Sequence, residues 1–548
     1  MIRLFMPLAL LVLTLIAFAR PAEYDEGYLL FITAGDPRPA WPTGIFTPAV
    51  AQAALTGTAS PAAIVTALRT TDVHPPLYFW ALAAWRRLVG PNWFAARLLS
   101  VGCALGSLAL VGWLARLTAR PPAAAMTLTL LSYGFAYTGT IARDIAPAVL
   151  LDLAGLALIL VAARPPHPDP PPQGGREILT SPSPLWGGPG WGAVQRPGLT
   201  AFAAGLAFGA ASFTNYLAIF MGLTTLTWAI ARGHQRLAAA AAAGICLFLP
   251  ADYAMYAAQA GSRGGQFAPF STAALPRLAR DAGAAWFGGL PLYAGAAAPL
   301  VAALLAFLLL GAGLSARRHR AGAAWLLIAA TAATPAGLLA LGLIFHNTPI
   351  EIRYLAFSLP PAALLLSTAA PAWRGTLVAV QAAAIAGLAL APQTMQPQQR
   401  AARDATAFTD NPLILLPYGN DGVGIPAQFM QGAPTNARLF LLRGAMPDLS
   451  AEPHILLATI AIDARSTAET AMAKAAFAAD RCYRATAPTA LITSVLNACA
   501  HQQPHGGGKL TAIDDHRELV ATGEGGHLPG IAQPVEIRDQ PEPQPQRH

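Results

Sequence analysis

Residues 199–230 read LTAFAAGLAFGAASFTNYLAIFMGLTTLTWAI, a stretch with no charged side chain that is apolar all round. A helix needs roughly 20 such residues to cross a bilayer, and inside lipid only a helix or a closed barrel satisfies its own backbone. Barrel strands are short segments of alternating polarity, which this run is not. Comparable runs recur from residue 4 to residue 392. Of the 548 residues 55% are hydrophobic and 11% charged, against about 25% charged in ordinary soluble domains. The fold class this predicts is an all-α polytopic membrane protein, with a small extramembrane α/β domain near the C-terminus.

The expected spans are 4–20, 75–90, 94–115, 122–139, 146–163, 199–212, 215–231, 237–256, 291–313, 322–345, 352–370 and 374–392. Arg3 ahead of a short apolar core, with Ala17-Phe18-Ala19 behind it, also imitates a signal peptide; the polytopic chain that follows favours a retained helix. Arg317-Arg318-His319-Arg320 is the strongest marker of a cytoplasmic loop. Counting from it puts 257–290, 346–352 and the tail after 392 on the outer face of an inner (plasma) membrane, with the loop 21–74. Twelve full crossings would instead return the C-terminus to the side of Met1. Arg86-Arg87 makes 75–90 read as an ordinary inward crossing, while the later loops make it dip without crossing, and charge alone leaves both open.

The organisation predicted is a membrane module 1–163 carrying the outer loop 21–74, a linker 164–198, membrane helices 199–392, an outer α/β domain 400–502 and a disordered tail 503–548. The linker holds ten prolines and seven glycines in 35 positions, a composition that forms no packed core. Leu413–Leu416, Arg438–Leu442 and His454–Ala461 read as short buried strands between polar turns. Cys482 and Cys499 fall in this domain, where an oxidising compartment permits a disulfide and two free thiols fit equally well. The formal charge of +8 is spread among short loops with no aromatic-basic stripe, which argues for positive-inside loops and against a nucleic-acid partner.

Two stretches carry candidate chemistry. Glu23-Tyr24-Asp25-Glu26-Gly27-Tyr28 is a dense acidic group just beyond the first apolar run, which by composition alone is equally a solvated helix end. About fifty residues later, Thr71-Asp72-Val73-His74-Pro75-Pro76-Leu77-Tyr78 runs abruptly into an apolar helix. Two prolines fix the backbone there and hold Asp72 and His74 at the depth of lipid headgroups.

Asp25-Glu26 paired with Asp72-x-His74-Pro75-Pro76-Leu77-Tyr78 resembles glycosyltransferase family 39, which includes protein O-mannosyltransferases and the aminoarabinose transferases of lipid A. Asn92–Ser100, Ala142-Arg143-Asp144 and Ile352-Arg353-Tyr354 resemble three further family elements. Each of these alone reads as an interfacial anchor. The resemblance implies a C-type glycosyltransferase bundle with a catalytic first outer loop. It also implies a polyprenyl-phosphate-linked sugar donor, a lipid, glycan or protein acceptor, and contact with membrane lipids. Asp25 and Glu26 are then the catalytic acids, Asp25 taking the acceptor proton. Asp72, His74, Arg143, Asp144, Arg353 and Tyr354 bind substrate, the cations among them opposing the leaving phosphate. A divalent ion (Mg, Mn or Zn) shared by Asp25 and Asp72 is implied as well. The chain departs from the aminoarabinose branch in having Val73-His74 where that branch has Glu-Lys, so a partly charged imidazole replaces an ammonium.

Two other readings stand beside this one. A secondary transporter or lipid-sugar flippase predicts paired broken helices and polar groups at mid-membrane, for which Asp152 and Asp252 are the candidates. An inactive relative acting as an assembly partner predicts the same motifs without turnover.

Overall fold

The computed structural model describes residues 2–164, 196–259, 269–316, 323–390, 397–408, 410–489 and 491–500. The Arg317–Arg320 marker, nearly all of the 164–198 linker and the tail 503–548 lie outside these residues.

Helix α1 (Ile2–Ala19) buries Ala9, Leu13 and Ala17 in the central apolar core. The chain then turns by 91° into α2 (Tyr24–Ala34). A capping box fixes that turn: the Glu23 carboxylate accepts from Asp25 N–H, and Glu26 accepts from Glu23 N–H at 2.8 Å. Short helices α3 (Ala49–Ala54), α4 (Pro61–Thr71) and α5 (Leu77–Val89) follow. The bundle continues with α6 (Trp93–Leu117), α7 (Pro122–Leu131), α8 (Tyr133–Gly139), α9 (Ile145–Ala162) and α10 (Pro197–Ser212). After these come α11 (Ile219–Ala231), α12 (Gln235–Cys246), α13 (Leu249–Ala258) and α14 (Ala274–Phe287). The last bundle helices are α15 (Ala298–Ala316), α16 (Ala324–Phe345), α17 (Leu359–Leu366) and α18 (Pro371–Leu390).

By length and composition, Trp93–Leu117, Ile145–Ala162, Leu290–Ala316 and Ala324–Phe345 can each cross a membrane, and the count is up to six if each of two bent pairs is one span. The protein is therefore a multi-pass membrane protein. Four other expected spans fold as shorter apolar helices, at Pro122–Leu131, Pro197–Ser212, Tyr216–Ala231 and Ile352–Leu366. Local breaks shorten two of them. Ser132 takes an extended conformation (ψ 127°) between α7 and α8, and Asn215 (φ −149°) separates α10 from the turn leading to α11.

The segment 75–90, left open between crossing and dipping, folds as a short helix. Helix α5 has 13 residues, about 20 Å of length, too short for a bilayer. Near its C-terminal end the buried Arg86 guanidinium donates to Leu30 O (3.0 Å), Thr33 Oγ1 (2.8 Å) and Leu55 O, all within the loop region that precedes α5. Trp80 Nε1 donates to Pro61 O from the middle of the same helix. The helix thus lies along the loop 21–74.

The C-terminal region begins with α19 (Pro397–Ala405) and builds one five-stranded sheet of order β2-β1-β3-β5-β4. The strands are β1 (Leu413–Pro417), β2 (Arg438–Leu442), β3 (His454–Ala458), β4 (Tyr483–Pro488) and β5 (Ile492–Asn497). Helix α20 (Gly424–Gly432) connects β1 to β2, and α21 (Ala464–Ala479) lies between β3 and β4. Strand β1 is parallel to both neighbours and buried at every position, which is why it reads as an unbroken apolar run. The third strand ends at Ala458 instead of Ala461, and the β4–β5 hairpin was not legible in the sequence. Cys482 and Cys499, just outside that hairpin, form a disulfide with a Cα–Cα distance of 5.2 Å.

The sheet shares a core with the loop that follows α1. Phe46 exchanges backbone hydrogen bonds with Leu439 (3.0 and 2.8 Å), covering the otherwise open edge of β2. Trp41 Nε1 donates to Gly422 O, and Arg443 Nη2 donates to Trp41 O at 2.7 Å. Trp41, Phe46, Val423, Ile425 and Leu439 are buried in one cluster. Loop and sheet therefore lie on the same side of the helical bundle.

Candidate active site

Asp25 lies in the first turn of α2, directly after the bend. Its carboxylate is 23% exposed and accepts a hydrogen bond from Arg353 Nη1, and Arg143 Nη2 lies 3.2 Å away. Arg143 comes from the turn before α9 and Arg353 from the 3-10 turn Ile352–Ser358, so three distant parts of the chain meet at one carboxylate. Burial alone would push the Asp25 carboxyl up; the two guanidinium groups overcome it and hold the carboxyl well below the usual carboxylate range.

The second cluster is the proline-stiffened turn. Asp72 Oδ1 bonds His74 Nδ1 at 2.6 Å and accepts from Val73 N–H. His74 Nε2 lies 3.4 Å from Arg143 Nη2 and 3.9 Å from Asp144 Oδ2, which joins this turn to the Asp25 group through Arg143. Asn215 Nδ2 donates to Asp144 at 2.8 Å, and Gln259 Nε2 donates to His74 O at 2.8 Å. Burial alone would depress His74, but Asp72 and Asp144 hold the imidazole above its ordinary value. Asp72 is correspondingly lowered, its burial outweighed by His74.

Arg353 also pairs with Glu351 (2.5 Å) and lies over the Tyr354 ring at 5.2 Å. Arg353 Nε is the atom that faces Glu351, and Arg143 Nε completes no hydrogen bond among the described residues. A cavity of about 500 Å³ opens here, lined by Glu23, Tyr24, Asp25, Tyr137, Arg277, Arg280, Glu351 and Arg353.

Glu26, expected as a second catalytic acid, lies apart from the cavity. It is fully buried and does not line the cavity. Arg97 Nε and Nη2 grip it at 2.8 and 2.6 Å, and Ala142 N–H donates to it at 2.7 Å. The same arginine donates to Ala17 O, Arg20 O and Pro21 O, which pins the chain at the bend after α1. Glu26 thus holds α2 in place, while Asp25, one residue earlier, faces the cavity.

The arrangement does not fit the expected divalent ion. Asp25 is taken up by two guanidinium groups and Asp72 by its own imidazole. Among the described residues no three His, Cys, Asp or Glu side chains gather as a metal site. The positive charge beside Asp25 comes from arginine. Asp252, one of the two mid-chain acids, accepts from Ser212 Oγ at 2.6 Å; Asp152 is buried in α9 with neither carboxylate oxygen hydrogen-bonded.

Several lining residues were not singled out from the sequence. Glu23 could have been, because Glu23-x-x-Glu26 has capping-box spacing. Arg277, Arg280 and Asp281 share one face of α14 at i, i+3 and i+4, an amphipathic signal inside a segment read as a plain loop. Arg277 Nη2 donates to Ile350 O at 2.8 Å, joining α14 to the turn that carries Arg353. Tyr137 carried no signal, since its place against Glu23 depends on the break at Ser132.

No protein-family model matches the chain. No curated protein matches it either. Among solved structures, the chain is similar to ArnT from Cupriavidus metallidurans bound to undecaprenyl phosphate, at 14% identity and a TM-score of 0.49, over 92% of this chain and 99% of that one. It is similar to the apo state of the same protein at 14% identity and a TM-score of 0.41, with the same coverage.

Proposed function

We propose that this cavity transfers a sugar from a polyprenyl-phosphate donor to an acceptor hydroxyl at the outer face of the membrane. The observation that carries the reading is the partly exposed Asp25 carboxylate, held between Arg143 and Arg353 and lining the cavity. Its support in the sequence is the resemblance of Asp25-Glu26 and Asp72-x-His74-Pro75-Pro76 to glycosyltransferase family 39.

The parts have complementary tasks. Arg143, Arg353 and a protonated His74 bind the donor phosphate, whose charge grows as it leaves. The phosphate competes with Asp25 for the two guanidinium groups, so donor binding frees the carboxylate. The acceptor oxygen then attacks the anomeric carbon as the bond from that carbon to the phosphate oxygen breaks. The electron pair leaves with the lipid phosphate, and the acceptor proton passes to Asp25. Asp72 and Asp144 keep His74 charged, and Tyr354 supports Arg353 from below its plane.

The test is turnover of a labelled polyprenyl-phosphate sugar by purified protein. Asp25→Asn should lower transfer by about 10²–10⁴-fold, the usual worth of a general base. Unchanged turnover in that variant would sink the mechanism, and solute movement across vesicles without donor consumption would favour a transporter.

A further inference from the structure

A second cavity, of about 820 Å³, lies beside the end of α1, between the loop, the start of α6 and helix α20. We propose that it holds an anionic membrane phospholipid, with its phosphate on Arg20 and its acyl chains along the outer face of α1.

Three features converge on that ligand. Arg20 is 8% exposed and lines the cavity, yet it has no carboxylate partner within ion-pair distance among the described residues. Its Nη1 donates to Tyr137 O (2.8 Å) and Thr140 Oγ1 (3.2 Å) and its guanidinium lies over the Tyr137 ring at 4.5 Å, while Nη2 makes no hydrogen bond among the described residues. A buried cation with unused donors is costly unless an anion completes it. The neighbouring Arg97 is already saturated by Glu26 and three carbonyls, which leaves Arg20 as the group that selects charge. Next, α6 begins at the cavity with Asn92, Trp93 and Phe94, and the positive end of a 25-residue helix dipole favours a phosphate there. Finally, Leu4, Leu8, Leu11, Leu15 and Phe18 form an exposed stripe at helical spacing that ends at the cavity, where Phe18 and Phe94 meet edge to face at 5.6 Å. A free phosphate would use the cation and leave that stripe bare; a lipid uses both.

The site also touches the wall of the reaction cavity. Arg20 holds the Tyr137 backbone, and Tyr137 OH donates to Glu23 Oε1 at 3.3 Å. Lipid bound at Arg20 therefore fixes the tyrosine that lines the other cavity.

Native mass spectrometry of the delipidated full-length protein, titrated with dioleoyl phosphatidylglycerol or dioleoyl phosphatidylcholine, tests the assignment. One phosphatidylglycerol should be retained at least about 10-fold more tightly than phosphatidylcholine, a difference of about 1.4 kcal/mol. Arg20→Gln should abolish the preference. Gln52→Glu, an exposed cavity residue that leaves the Arg20 contacts intact, should weaken phosphatidylglycerol binding if Arg20→Gln does not fold. Equal retention of the two lipids, unchanged binding in Gln52→Glu, or equally tight binding of inorganic phosphate would overturn the proposal. Asp25→Asn retains the lipid whatever its effect on turnover, so this result and the transferase reading fail separately.

Discussion

Glu26→Gln separates two adjacent carboxylates that the sequence presents as a pair. Glu26 is wholly buried, and Arg97 opposite it is 3% exposed. Removing one partner of such a pair strands a buried charge and costs about 3–5 kcal/mol. Arg97→Lys probes the same joint from the other side. Arginine makes five contacts here, two to Glu26 and one each to Ala17 O, Arg20 O and Pro21 O. A lysine has three donors, so at least two acceptors lose their partner, at about 1–3 kcal/mol each where they are buried. Thermal unfolding in detergent should therefore fall for both variants, by about 5 °C or more on the scaling of soluble domains. Asp25→Asn strands Arg143 and Arg353, whose guanidinium groups hold its carboxyl low, so it too should unfold earlier; turnover per folded protein separates the two acids, collapsing in Asp25→Asn and persisting below the melting temperature in Glu26→Gln. If Glu26→Gln and Arg97→Lys unfold at the wild-type temperature, or folded Glu26→Gln loses turnover as completely as Asp25→Asn, the assignment of Glu26 to scaffold and Asp25 to chemistry is wrong.

Other outcomes follow from the same geometry. Because Asp72 and Asp144 raise His74, its charged form and the ion pair's stabilisation are complete below the unfolded value near 6.5 and fade as pH rises through the folded one; kcat/KM should show an alkaline limb that His74→Gln removes, and a limb unchanged in that variant would exclude His74. At Gly205 an added methyl carbon would sit 1.9 Å from Ala241 O, so Gly205→Ala should force α10 from α12 and cost about 3 kcal/mol, seen as lost thermal stability. Cys482→Ser opens a loop of 17 residues' separation and should destabilise the sheet by about 3 kcal/mol, read as faster proteolysis of the C-terminal region in the variant than in the oxidised protein.

The sequence by itself determined the class and the cast of the site. Charge-free runs leave the backbone no choice but helix in lipid, and a continuous apolar run such as Leu413–Leu416 reads as a strand buried on both faces. Asp25, Asp72 and His74 were legible as charge at a membrane boundary stiffened by Pro75-Pro76, whereas Arg143, Asp144 and Arg353, each alone an interfacial anchor, were singled out only through the resemblance to glycosyltransferase family 39. Where each one sits was decided only by tertiary structure. Asp25 and Glu26 are chemically alike in sequence, and one turn of α2 aims the first at Arg143 and Arg353 and buries the second against Arg97. Arg86 reads as a cytoplasmic anchor until its hydrogen bonds to Leu30 O and Leu55 O fold α5 along the loop. The physical reason is common to both. Hydropathy and charge are local properties, but which acceptor a guanidinium reaches depends on residues dozens to hundreds of positions away.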